Sequence, residues 1–344
     1  MLCEPPGGSL MQQARWTADG IELVDVAAGP LPEGRVRLKV LANGICGTDL
    51  HLYRRELPPL EGSVPGHEIV GVPIDGPAGL TESLYAVEPR VWCGECDFCG
   101  AGDHHLCPNG TVIGIQDAGG LAEWVDVPRP SLHPVDADVS PLVASLAEPL
   151  AVSLRAVHLT RLEADSRVLV LGSGSIGLLA GLLARDRAAR VAITARYPQQ
   201  VEAARRLGLE PLGESEVEAW SGEFGPDVVI ETVGGFANTL AEAVQFCRPG
   251  GRVVVLGVFV GERTLNALVL MAKEIRLIGS NMYGSTRRGS EFRAAVDLMP
   301  RYRAELEPLQ THQFRLSALN DAFKCALDKR SGSIKVTVIP DAAA

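Results

Sequence analysis

Arg167-Val168-Leu169-Val170-Leu171-Gly172-Ser173-Gly174-Ser175-Ile176-Gly177 is the stretch whose reading decides the fold. A short apolar strand runs straight into a Gly-x-Gly-x-x-Gly turn, and an apolar helix pattern from Ser175 to Arg187 follows. A lone match to those glycines means little. Between a strand and a helix it is the fingerprint of a dinucleotide phosphate loop. Gly172 allows the tight turn, Gly174 lets a pyrophosphate approach the backbone, and Gly177 permits close contact of helix and strand. The amides of Ser175 and Ile176 then face the phosphates at the helix start. Val168 to Ala184 is 17 residues without a charge, at the lower limit of a membrane span. Three glycines at motif spacing break it into strand, turn and helix instead.

Downstream the alternation continues. Strands are expected at Arg190–Thr194, Asp227–Glu231 and Arg252–Leu256, with helices at Pro198–Leu207 and Phe236–Cys247 between them. Strands separated by helices in this way make a parallel, doubly wound α/β sheet. The fingerprint also calls for an acidic residue about twenty positions on, at the end of the second strand, to hold the adenosine ribose. Thr194-Ala195-Arg196-Tyr197 stands there. A guanidinium suits a phosphate monoester that a carboxylate would repel. Arg196 therefore favours NADP(H) over NAD(H), with Tyr197 placed to stack on the adenine. The alternative is NAD bound without its usual carboxylate, Arg196 lying in solvent.

Upstream the period changes. Ile21–Val26 and Val36–Leu41 alternate as strands, Glu68–Val72 resumes one, and further β signals lie at Val112–Ile115 and Leu121–Val127. Between them stand Cys46-Gly47-Thr48-Asp49-Leu50-His51 and Gly66-His67-Glu68. A thiolate and an imidazole are preferred zinc ligands, and a catalytic zinc takes three protein ligands with a fourth position open. Cys46 and His67 supply two. Glu148, in Leu146-Ala147-Glu148-Pro149-Leu150, is the candidate third, with Glu68 able to ligate directly or to exchange with water. Thr48 can reach a substrate oxygen, His51 can carry a proton to water, and Asp49 can orient His67. Pro141 to His158 reads as one helical stripe, broken or kinked at Pro149. A last helix is expected at Gly289–Met299 and a closing strand at Ile334–Ile339.

Four of the eight cysteines fall within one short loop: Cys93, Cys96, Cys99 and, after seven residues, Cys107. Four thiolates so spaced close a tetrahedral shell around a structural zinc; a four-iron cluster usually differs in its fourth cysteine. Metal spacing rather than a disulfide framework points to a reducing cytoplasm. With 344 residues the chain is long enough for two domains. Its balance, 32 basic against 42 acidic side chains, speaks against a nucleic-acid partner. Met1 to Gly20 shows no secretory pattern. Arg54, Arg55, Arg287 and Arg288 read first as exposed surface and second as a cue to an anionic substrate.

Cys46-Gly47-Thr48-Asp49, Gly66-His67-Glu68, the four-cysteine lobe and the Gly172–Gly177 fingerprint, in this order from about Glu22 to Val338, resemble the zinc-dependent medium-chain alcohol dehydrogenases. The third-ligand position matches Glu148, as in the polyol branch, where a glutamate replaces a cysteine. The resemblance implies a GroES-like β-barrel catalytic domain over 1–150 and 286–344, interrupted by a Rossmann nucleotide domain over 151–285. It also implies that Val233, Leu256, Val258 and Ser280 line the nicotinamide and that Lys335 contacts the cofactor. It further implies two zinc ions per chain, and a homodimer or homotetramer joined through the sheet edge near Leu265–Leu277. The stretch between Glu68 and Cys93 departs from the pattern, lacking its glycine-aspartate-arginine-valine turn, which leaves the strand register there open. The expected activity is hydride transfer between a nicotinamide cofactor and an alcohol or polyol, or its carbonyl partner. A zinc-free enone or quinone reductase and a non-catalytic NADP-binding protein are the alternatives. Metal content separates the first, turnover the second.

Overall fold

A computed structural model describes residues 10–80, 82–286 and 289–341; Cys3, Arg287 and Arg288 lie outside them. The chain divides into two compact units, Met1–Glu148 with Gly284–Ala344, and Pro149–Tyr283.

The second unit is built on the opening stretch. Its strands are β1 (Arg167–Leu171), β2 (Arg190–Thr194), β3 (Glu210–Leu212), β4 (Val228–Glu231), β5 (Arg252–Val255) and β6 (Arg276–Gly279). All pair in parallel, in the order β3-β2-β1-β4-β5-β6. The chain therefore winds outward from β1 in both directions, and β1 ends where the strand order reverses, the point at which such sheets bind ligands. Val168, Leu169, Val170, Val229, Ile230, Val253 and Val254 are buried, as strands covered on both faces require. Helices Ser175–Arg185 and Pro198–Arg206 follow β1 and β2. The helix expected from Phe236 begins only at Thr239. Gly234 and Gly235, with φ of 62° and 58°, turn the chain just before Phe236, and the Ala237 amide closes on the Gly234 carbonyl at 3.2 Å, so the helix starts only after that turn.

In the first unit the long strand Arg35–Gly44 is central. It pairs with Glu68–Asp75, Trp124–Pro128 and Lys335–Ile339 in a seven-stranded sheet. Val36, Leu38 and Val40 point into a core with Ile69, Val87, Val125 and Val127, the period-two pattern of a half-buried strand. The register left open after Glu68 carries two shifts, between Ala42 and Val40 and between Leu38 and Arg37, and between them Pro73 lies opposite Leu38. A second core joins Trp16, Leu52, Leu316, Leu319 and Phe323. There Tyr53 stacks on Phe323 at 4.8 Å, which fixes the end of helix Gly47–Tyr53.

Two sequence expectations need correction. Pro149 neither breaks nor kinks a helix: the stripe is two helices, Pro141–Ala144 and Ala147–Thr160, interrupted before Ala147. Pro149 falls in the first turn of the second, where a backbone N–H has no intrahelical partner to lose. The β signal at Val112–Ile115 is only Thr111–Val112, followed by a turn at Gly114, whose φ is 85°.

Candidate metal centre and nucleotide loop

Cys46 ends the connection out of strand Arg35–Gly44 and precedes helix Gly47–Tyr53; His67 precedes and Glu68 begins strand Glu68–Asp75. One ligand atom from each of Cys46, His67 and Glu68 lies within 4.8 Å of the others. Bonds of about 2.0–2.3 Å to zinc draw such a set together with small side-chain movements. Asp49 is fully buried; its Oδ2 accepts from the Cys46 amide at 2.9 Å, and its Oδ1 is 3.7 Å from His67 Nδ1. Both atoms are buried and unbonded at that distance, and a small shift would let the carboxylate orient the imidazole. Glu148 is not among the three converging residues. It is buried beside them, in the first turn of its helix, within the fields of His67, Glu68, Lys335 and Asp49.

The electrostatics explain why this pocket suits a cation. Burial pushes the Glu148 carboxyl up to about 7, with His67 working in the opposite direction. Burial likewise raises Asp49, again opposed by His67. Burial works against protonating His67, but Asp49 and Cys46 outweigh it and hold the ring well above its ordinary value. Asp49, Glu68 and Glu148 face Lys335 as the one buried lysine of the group. With the His67 ring itself held protonated in the metal-free protein, a divalent ion would take the place of that proton at this sulfur–nitrogen–oxygen donor set.

Lys335 is 1 % exposed; its ammonium pairs with Glu68 and donates to the Ile45 carbonyl at 3.0 Å. Its surroundings are those of the candidate metal centre. A Cβ at Gly44 would sit 1.9 Å from Glu68 Oε2 and 2.7 Å from Lys335 Cε, so a side chain there would displace the pair.

The cysteine lobe closes as its spacing requires. Cys93, Cys96, Cys99 and Cys107 bring their sulfurs together, with Cys93 to Cys107 at 3.5 Å and Cys96 to Cys107 at 3.8 Å. Amides of Glu95 and Cys96 donate to Cys93 and bring its thiol down to about 6. Burial pushes Cys99 up to about 12. Four sulfurs this close cannot all ionise without a metal among them.

At the nucleotide loop each glycine has its reason. Gly172 has φ of 98°; a Cβ at Gly177 would lie 1.9 Å from the Gly172 carbonyl; one at Gly174 would meet nothing within 4 Å. The loop is thus crowded where helix meets strand and open where a pyrophosphate would lie. Ser175 and Ile176 start the helix. Val233 and Val258 are exposed beyond β4 and β5, Leu256 follows β5, and Ser280 follows β6 with its hydroxyl buried and unbonded. Arg196 and Tyr197 follow β2, and the Arg196 guanidinium pairs with Glu214 at 2.5 Å, both groups exposed.

Residues 32–137 match the alcohol dehydrogenase GroES-like domain, and residues 175–301 match the zinc-binding dehydrogenase domain. The 2-dehydro-3-deoxy-L-galactonate 5-dehydrogenase of Pseudoalteromonas atlantica is 31% identical over 303 residues, 84% of this chain and 87% of that one. The chain belongs to the zinc-dependent medium-chain alcohol dehydrogenases. A sorbitol dehydrogenase of Halalkalibacterium halodurans is 28% identical, covering 89% of this chain and 92% of its own. A zinc-binding dehydrogenase from Sinorhizobium meliloti, solved with NADP, superposes with a TM-score of 0.86 at 31% identity, covering 96% of this chain and 100% of that one. This alcohol dehydrogenase is an enzyme with a GroES-like domain and a Rossmann domain, of a family that uses zinc and NAD or NADP. No helix among its described residues is long and apolar enough to cross a membrane.

Some residues that shape this dehydrogenase's sites gave no motif signal. Thr194 accepts the Gly172 amide at 2.8 Å and so fixes the phosphate turn. Glu231 is fully buried, and its Oε1 accepts from the Val233 and Gly234 amides and the Thr239 hydroxyl at 2.7–3.0 Å. A carboxylate ending a buried strand just before Gly234-Gly235 was the available clue.

Proposed function

We propose that this dehydrogenase interconverts a secondary alcohol of a polyol or sugar acid with its carbonyl form, preferring NADP(H), with one catalytic and one structural zinc per chain. The observation that carries the reading is the convergence of Cys46, His67 and Glu68 over buried Asp49, with Glu148 beside them. Because Lys335 already neutralises Glu68, Glu148 is assigned as the third resting ligand and Glu68 as the alternate. Cys93, Cys96, Cys99 and Cys107 hold the second ion. When bound, the catalytic zinc supplies Lewis acidity and the nicotinamide supplies the hydride chemistry.

The chain's own residues do the rest. Cys46, His67 and Glu148 present donors from three separated elements, and Asp49 holds the His67 ring. Thr48 accepts the proton of the substrate hydroxyl and hands it on, and His51 releases it to water. Gly174 leaves room for the pyrophosphate, Ser175 and Ile176 offer it amides, and Val233, Leu256, Val258 and Ser280 support the nicotinamide half. Lys335 serves the metal side by holding Glu68, beside the cofactor contact expected from the family. Arg196 reads a 2′-phosphate, which the NADP-bound relative supports. The relatives named for galactonate derivatives and sorbitol support the substrate class. Free thiols at metal spacing support a reducing cytoplasm. The test is a panel of polyols, sugar acids and simple secondary alcohols with NADP+ and NAD+ on zinc-replete protein. Turnover of a polyol or sugar acid with a lower KM for NADP+ is expected. Activity confined to simple alcohols, or to enones without zinc, would contradict it.

A further inference from the structure

His51 has a partner that no part of the reaction requires. Helix Gly47–Tyr53 carries Thr48 and His51 three residues apart, on one face. Just beyond it Arg55 takes φ of 58°, a left-handed conformation uncommon for a residue with a side chain. The turn brings the Glu56 and Leu57 amides onto the His51 carbonyl at 3.0 and 3.4 Å. It also sets Glu56 Oε2 2.5 Å from His51 Nδ1, with the two side chains 19 % and 18 % exposed. Arg54 lies 3.7 Å from the other carboxylate oxygen. On the same helix Asp49 is engaged with Cys46 and His67. On the packed helix Leu319–Leu327, Asp321 and Lys324 pair with each other in solvent.

We propose that Glu56 is a positioning residue for the proton relay, fixing His51 as the Nδ1–H tautomer with Nε2 bare. The inference rests on the relay role given to Thr48 and His51. An ionised carboxylate only accepts hydrogen bonds, so the hydrogen between the two groups belongs to Nδ1. Nε2 is then the atom left to accept. It takes the proton handed on from Thr48, giving an imidazolium whose Nδ1–H still rests on Glu56. The same proton leaves Nε2 for water, and none passes to Glu56. A carboxylate that orients a histidine without being protonated is a recurring device of proton-transfer sites.

The test combines 15N NMR of histidine-labelled zinc-loaded protein with kinetics, the His51 signal being assigned by its loss in H51Q. Wild type is expected in the Nδ1–H form, E56A shifted toward Nε2–H, and E56Q unshifted, because its amide oxygen still accepts. In alcohol oxidation E56A loses roughly tenfold in kcat/KM, E56Q loses less, and E56A adds no loss in an H51Q background. An unchanged tautomer in E56A, or an equal loss in both backgrounds, would overturn the proposal. An H51Q enzyme as active as wild type overturns it through the relay. The tautomer signal needs no turnover, so it tells that failure from a failed Glu56 contact.

Discussion

Glu148, His67 and Asp49 share one sign of pH dependence in the metal-free protein. All three are held above their ordinary values. A raised value means that the folded state binds the proton more tightly than the unfolded chain does. The stabilisation is full at low pH and is lost as pH rises through the folded value. For Glu148 the window runs from 4.5 to about 7. The chelated protein should therefore melt at a lower temperature at pH 8 than at pH 6. Glu148→Gln should flatten that slope, and zinc should reverse it by favouring the ionised ligands. A slope in the chelated protein that Glu148→Gln leaves untouched would mean that this carboxyl does not titrate there.

Arg196 is free to change partners. Its pairing with Glu214 is solvent-exposed, and such pairs contribute about 0–1 kcal/mol. A 2′-phosphate can therefore displace the carboxylate. Arg196→Ser should weaken 2′,5′-ADP binding roughly tenfold or more while leaving 5′-AMP nearly unchanged, and Glu214→Gln should tighten 2′,5′-ADP. Calorimetry with the two nucleotides checks both; equal effects on each would remove Arg196 as the phosphate reader. The guanidinium was legible in the sequence, since it stands where the fingerprint expects an acid. Glu214 was not, because it reaches Arg196 from beyond the next strand.

Among the elements, the phosphate turn separates fold from binding. Gly177→Ala places a Cβ against the Gly172 carbonyl and should cost about 1–3 kcal/mol of stability, read as a lowered melting temperature. Gly174→Ala meets open space; it should leave melting unchanged and weaken nucleotide binding. Similar melting of the two variants would refute the steric distinction. This helix and its strand were legible because turn chemistry and periodicity agree there. The strands β3 and β6 were not, for different reasons. Glu210–Leu212 is three residues long, and Arg276–Gly279 is mostly exposed and so carries no buried signature. Pro149 misled because proline marks a helix start as readily as an interruption.

For the molecule as a whole, β6 is an open sheet edge, and Leu268 and Met271 near it are 67% and 65% exposed. A second copy of this chain pairing along that edge would cover them. Light scattering should report a dimer or larger, and Leu268→Asp with Met271→Asp should yield monomer. A monomeric wild type would count against the edge as an interface. The convergence of Cys46, His67 and Glu68, and of the four lobe cysteines, was legible as residue types and spacings. The pairing of Glu68 with Lys335 was not legible, because Lys335 lies 267 positions beyond Glu68 and reaches it only across the sheet.

On the proposed reading, an open catalytic zinc at Cys46 and His67 carries the reaction, apart from the ion in the cysteine lobe. The most direct test is zinc content measured alongside alcohol oxidation in wild type and Cys46→Ser. Two zinc ions per chain with turnover in wild type, and one ion without turnover in the folded variant, are predicted. One ion in both proteins, with turnover undiminished by the substitution, would contradict it.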